Sequence, residues 1–125
     1  MEPEACPFCN PPAEEIVRAN DLCFARWDKY PASRGHILVI PFRHTPDFFS
    51  MTQEEKEATI ALVSECREFL DRDFSPGGYN IGFNVGEIAG QTVMHCHCHI
   101  IPRYAGDVVD PRGGLRGVVP WKQVY

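Results

Sequence analysis

Three of the five histidines in this 125-residue chain stand at alternate positions, inside the run Gln91-Thr92-Val93-Met94-His95-Cys96-His97-Cys98-His99-Ile100-Ile101-Pro102-Arg103. In a β-strand that alternation sends all three imidazoles to one face and leaves Cys96, Cys98 and Ile100 for the other, which is apolar enough to lie on a core. A helix would point His97 away from His95 and His99. The β-branched and apolar flanks, with Pro102 closing the run, favour the strand. The chain is therefore expected to fold around a sheet in which one strand has a chemical face and a buried face.

With 44% hydrophobic residues, the length fits one domain over 1–125 and leaves no room for two. Met1-Glu2-Pro3-Glu4 is acidic and no apolar signal region follows. No stretch approaches the roughly 20 apolar residues of a membrane span, so a cytoplasmic protein without a membrane partner is expected. The net charge of -5 argues against broad nucleic-acid binding and leaves any anionic substrate to be held by local groups. Six cysteines in a reducing compartment read as thiols or metal ligands rather than disulfides. Cys23, Cys66, Cys96 and Cys98 sit among apolar residues, as small buried hydrophobes do.

Residues 15–19 and 22–27 read as short strands around a turn at Asn20-Asp21, and 36–42 as a third strand. Thr52-Gln53-Glu54-Glu55 is a capping box opening a helix to about Arg72, with Leu62, Cys66, Phe69 and Leu70 facing inward. Glu54 to Glu57 and Asp71 to Asp73 read as its solvated face. Ser75-Pro76-Gly77-Gly78 ends the helix, and Tyr79, Ile81, Phe83 and Val85 alternate as a fourth strand. The class is α+β: an antiparallel sheet of about five strands with one long packed helix. The Pro- and Gly-rich residues 105–125 read as an irregular C-terminal arm.

His95-Cys96-His97-Cys98-His99-Ile100-Ile101 resembles the signature of the histidine triad (HIT) family, His-φ-His-φ-His-φ-φ with φ apolar. Three further pieces resemble it in the family's order: Gly35-His36-Ile37-Leu38-Val39-Ile40-Pro41 with His44, Asn84-Val85-Gly86 leading to Gly90-Gln91-Thr92-Val93, and Pro102-Arg103. Together they span roughly residues 20 to 104, and the tail from Asp110 to Tyr125 looks like a bacterial-type ending. Thiols at both inner φ positions depart from the commoner Val or Leu.

The resemblance implies a HIT-like fold, a homodimer and a nucleotide substrate, with no organic cofactor. It assigns His97 as the nucleophile that attacks the α-phosphorus, forming a nucleotidyl-histidine that water hydrolyses, with the His95 carbonyl fixing the attacking tautomer. A neutral imidazole near its ordinary pKa suits that step. By the same resemblance His99 contacts phosphate, Gln91 and Thr92 lie near it with Thr92 in the catalytic set, Asn84 contacts the nucleotide, and His36 lies close by. Asp28, eight residues before His36, falls where the family places an Asp or Asn on the ribose hydroxyls, and a carboxylate can accept from both. Gly86 and Gly90 would let the backbone approach the phosphate closely.

Cys6-Pro7-Phe8-Cys9, within an N-terminal segment 1–14, is a Cys-x-x-Cys knuckle. In zinc-bearing family members the remaining ligands are the histidine after the Ile-Pro stretch and the first of the triad, here His44 and His95. The four ligands leave no water position, so the implied zinc is structural. A redox dithiol is the rival, without the βαβ surroundings it normally has. Phe8 is a candidate for the base pocket. Two functional rivals stay open: a nucleotidyl transferase using the same intermediate, and a non-catalytic nucleotide-binding or interaction module. A catalytic metal on the triad is disfavoured, since no carboxylate follows the histidines at cupin spacing. Dinucleoside polyphosphates, nucleoside phosphoramidates and nucleotidyl sulfates are the candidate substrates.

Overall fold

The computed structural model of the chain describes residues 5–125, so the acidic opening Met1 to Glu4 lies outside the described residues. Five strands, β1 (Arg18–Ala19), β2 (Cys23–Trp27), β3 (Ile37–Pro41), β4 (Gly78–Gly82) and β5 (Cys98–Arg103), form one sheet in the order β1-β2-β3-β5-β4. Every neighbouring pair is antiparallel. A single long helix, α1 (Gln53–Phe74), packs on it. Among the described residues no helix is long and apolar enough to cross a membrane.

Strand alternation divides the sheet into two buried faces. Cys23 and Ala25 of β2, Ile37 and Val39 of β3, and Cys98 and Ile100 of β5 meet Leu62, Cys66, Phe69 and Leu70 of α1. On the opposite face, Phe24, Leu38 and Ile40 are covered by Cys6 and Phe8 of the N-terminal segment. All six cysteines are thiols. Burial pushes Cys66, Cys96 and Cys98 up to about 12, which keeps them neutral and inert.

The capping box is formed: the Glu55 amide donates to Thr52 Oγ1 (3.1 Å) and the Thr52 amide to Glu55 Oε1 (2.8 Å). Glu55 departs from the expected solvated face. It is 4% exposed, and Arg43 Nη2 donates to its Oε1 at 2.7 Å. That hydrogen bond holds its carboxyl below the usual range. The helix runs two residues past Arg72 and stops at Ser75, in the left-handed conformation.

Strands β2 and β3 differ from their expected spans by no more than one residue at either end, whereas three strands fall short at one end by three residues or more. Residues 13–15 form a turn, so β1 keeps only two residues. Phe83 and Val85 lie beyond β4, which ends where its partner does, Gly82 opposite His99. Phe83 packs on Phe48 instead, with ring centres 5.0 Å apart.

The third case concerns the triad itself. The run 91–103 is a strand only from Cys98, so His95 and His97 precede it. The β3–β5 register, Val39 opposite Cys98, would bring Cys96 against Pro41, which has no N–H to continue the ladder. The Cys96 amide donates to the Thr45 carbonyl (2.7 Å) instead. The backbone turns, and His95 leaves the face that His97 and His99 share. The arm after residue 105 is irregular apart from short turns at Gly114–Val118 and Pro120–Lys122, with Leu115, Val118 and Trp121 exposed.

Candidate functional site

Where β2, β3 and β5 meet the N-terminal segment, they wall a cavity of about 520 Å³ that includes Phe8, Arg26, Asp28, Leu38, His97 and His99. His97 Nδ1 lies 2.9 Å from the carbonyl oxygen of His95. A carbonyl only accepts, so Nδ1 carries the proton and Nε2 keeps the lone pair. Phe8 sits edge-on to the His97 ring, 5.0 Å between centres. Burial lowers the pKa of His97, against the opposing pull of the His95 carbonyl and Asp28. The imidazole is thus uncharged at neutral pH.

A second chain of donors fixes His99. The Ala32 amide donates to His36 Nδ1 (2.9 Å), which leaves the proton of a neutral His36 on Nε2. That N–H faces His99 Nδ1 at 2.9 Å. His99 therefore carries its own proton on Nε2. Burial lowers the pKa of His36 despite Asp28 beside it. His99 is pushed down to about 4, first by burial and then by the His97 and His36 imidazoles. His97 and His99 lie 5.1 Å apart by ring centres, so a lone pair and an N–H donor share one pocket wall.

Asp28 Oδ1 accepts from the Tyr30 amide (2.8 Å), while Oδ2 lies 3.4 Å from His36 Nε2 and 4.0 Å from His99 Nδ1. These three side chains are close enough together to suggest a cation site. The hydrogen bonds argue against one: a metal on His36 Nε2 would force the proton onto Nδ1, against the Ala32 N–H.

Asn84 and Thr92 line the same cavity, as does Gly90, whose φ of +96° favours glycine. Gln91 does not line it. Its side chain accepts from the Gly86 amide (2.9 Å) and donates to the Pro46 (2.6 Å) and Val93 (3.1 Å) carbonyls, making it a strut of the loop before the triad. Gly86 gives its amide to that strut. His36, buried behind His99, lines a neighbouring cavity with Asn84 and Ile81. Arg26, Lys29, Tyr30 and Leu38 are cavity residues that sequence reasoning missed. The available signal was Arg26, a charge two residues before Asp28 in an otherwise apolar strand.

His95, fully buried, belongs to a separate cluster. The donor atoms of Cys6, Cys9, His44 and His95 all lie within 4.8 Å of one another. Cys6 Sγ is 3.4 Å and Cys9 Sγ 3.5 Å from His95 Nδ1, Cys9 Sγ is 3.1 Å from His44 Nδ1, and the two Nδ1 atoms are 3.2 Å apart. A tetrahedral ion bonded at about 2.3 Å to sulfur and about 2.0 Å to nitrogen separates its donors by about 3.3 Å (two nitrogens) to about 3.8 Å (two sulfurs). The cluster fits one. His95 Nε2–H donates to the Pro41 carbonyl (2.8 Å), which turns the Nδ1 lone pair toward the two sulfurs. The residue that interrupts the β-ladder, Pro41, thus also orients the His95 ring through its carbonyl.

The family model described as the HIT domain matches residues 12–106, a span that holds the triad, His36, His44 and Asp28 but not Cys6 or Cys9. The chain is 30% identical over 93 residues to an AP-4-A phosphorylase of Mycobacterium tuberculosis, covering 74% of this chain and 48% of that protein. It is 35% identical over 97 residues to an asymmetrical bis(5'-nucleosyl)-tetraphosphatase of Schizosaccharomyces pombe, covering 78% of this chain and 53% of that protein. The chain thus spans about half the length of these two relatives. A zinc-bound histidine triad family protein from Mycobacterium smegmatis is similar in structure, with a TM-score of 0.77 and 30% identity, over 87% of this chain and 82% of that one.

Proposed function

Because this chain belongs to the HIT domain family, we propose that it cleaves a nucleoside phosphate derivative at the α-phosphorus through a covalent nucleotidyl-His97 intermediate. The observation that carries this reading is the tautomer of His97, with Nδ1–H held on the His95 carbonyl and Nε2 left as the free base. In the first step Nε2 bonds to phosphorus and the bond from phosphorus to the leaving group breaks, with the leaving group taking a proton. Water then attacks the adduct and gives up a proton. The nucleoside monophosphate leaves and the neutral imidazole returns. His99 Nε2–H donates to a phosphoryl oxygen, where negative charge builds in both steps. Thr92 and Asn84, which line the same cavity, hold the phosphate and sugar, and Asp28 Oδ2 accepts from the ribose.

Relatives named as a phosphorylase and as a tetraphosphatase support a dinucleoside polyphosphate as substrate. The phosphorylase also favours a second reading, in which inorganic phosphate rather than water takes the nucleotide from His97. A panel of dinucleoside polyphosphates and nucleoside phosphoramidates, assayed for nucleoside monophosphate with and without phosphate, separates the two. Release in water alone supports the hydrolase, and release only with phosphate supports the transferase. Binding of monophosphates with no turnover of any substrate would leave a nucleotide-binding module.

The Cys6, Cys9, His44 and His95 cluster holds structural zinc in this reading. When bound, the ion ties the N-terminal segment to the approach of the triad strand. The same chain forms a homodimer. Strand β4 lies at the sheet edge with Ile81 exposed, near the apolar Leu115 and Val118 of the arm.

A further inference from the structure

Arg26 is a charged residue in the otherwise apolar strand β2. It is 4% exposed, yet it lines the cavity that holds His97 and His99. Its Nη1 donates to the Pro7 carbonyl (3.2 Å) and pairs with Glu15 Oε2 (3.3 Å), and its guanidinium lies 5.6 Å above the Phe8 ring. These contacts hold one end of the planar group. On the other edge, formed by Nε and Nη2, Nε has no hydrogen-bond partner among the described residues and is closed to water. A buried charged donor without an acceptor is costly, and native structures leave few such groups unexplained. The guanidinium is already largely desolvated, so an acceptor in the cavity that meets this edge once the side chain has turned toward it gains a charge-assisted bond.

The geometry points to Arg26 as the residue that reads the nucleobase, selecting guanine over adenine. This rests on the nucleotide-cleaving reading above. Residues 26 and 28 alternate on the same sheet face, about 7 Å apart along the strand. With phosphate at His97 and His99 and the ribose at Asp28, the base extends toward Arg26, Phe8 and Leu38. Arginine only donates, so it favours a base edge with two adjacent acceptors. Guanine offers N7 and O6 in that arrangement, the partner of the bidentate arginine contact. Adenine offers N7 beside an amino group, which sets donor against donor. Phe8 and Leu38 supply apolar surface for either purine and do not discriminate.

The test is titration of GMP and AMP into the zinc-replete wild type and Arg26→Met, which keeps the stem and removes the donors, and Arg26→Lys, which keeps the charge without the fork. Wild type is expected to bind GMP roughly tenfold or more tighter than AMP. Arg26→Met should lose that preference mainly through weaker GMP binding, with AMP within about twofold, and Arg26→Lys should lie between them. The ratio of the two affinities is insensitive to partial loss of folded protein. Equal wild-type affinities, or equal weakening of both nucleotides in Arg26→Met, would overturn the assignment and make Arg26 a strut for the N-terminal segment. If neither nucleotide binds the wild type, the nucleotide reading falls as well.

Discussion

His36 Nε2 and His99 Nδ1 face each other at 2.9 Å, and the Ala32 amide on the far side of His36 decides which of them carries the proton. One backbone N–H thereby sets the tautomer of two imidazoles and leaves His99 a donor toward the cavity. In the proposed mechanism His36 is a positioning residue that acts through His99.

Nitrogen-15 NMR of the imidazoles should find His99 protonated on Nε2 and His97 on Nδ1 at neutral pH. His36→Phe should release the His99 tautomer and lower kcat roughly tenfold or more with a smaller change in KM, because donation to a developing charge is lost. An unchanged tautomer mixture and unchanged kcat in that variant would remove His36 from the relay.

Stability should fall with acid in a defined window. An unfolded histidine titrates near its ordinary 6.5, whereas folded His99 is pushed down to about 4. Between those values the unfolded chain binds a proton that the folded chain lacks, so stability rises with pH there and is lost as pH falls from 6.5 toward 4. At the acid end the loss from His99 is on the order of 3 kcal/mol. Denaturant midpoints measured across this range should fall more steeply for wild type than for His99→Asn. Parallel slopes would contradict the assignment.

Metal binding should couple the N-terminal segment to the triad. Protein purified without chelators should carry about one zinc per chain, and Cys9→Ser should lower both zinc content and Tm. Activity should fall with the folded fraction, since His95 reaches His97 through its backbone carbonyl. Zinc-free protein whose melting ignores a strong chelator would leave the cluster as ordinary thiols and imidazoles.

Local signals were the most legible part of the sequence. The Thr52-Glu55 capping box, the inward stripe of α1 and the alternation that puts Cys98 and Ile100 on the helix side all depend on neighbours in sequence. The features that escaped depend on distant partners. Strand β5 starts at Cys98 because Pro41, more than 50 residues earlier, cannot donate to it, and Glu55 is buried because Arg43 reaches over it. Arg26 looks like a solvated charge until the N-terminal segment covers it with Pro7 and Phe8. The grouping of Cys6 and Cys9 with His44 and His95 came from the family resemblance, since spacing alone leaves a Cys-x-x-Cys pair without its other two ligands.

The most direct measurement is intact-mass and peptide mass spectrometry of protein quenched during turnover under conditions that spare the acid-labile phosphorus–nitrogen bond. One nucleoside monophosphate should be found on His97, formed and lost at rates that support steady-state turnover, and His97→Asn should bind nucleotide with no adduct and no turnover. Wild-type turnover with no adduct at any time point, together with activity near wild type in His97→Asn, would contradict covalent catalysis by His97.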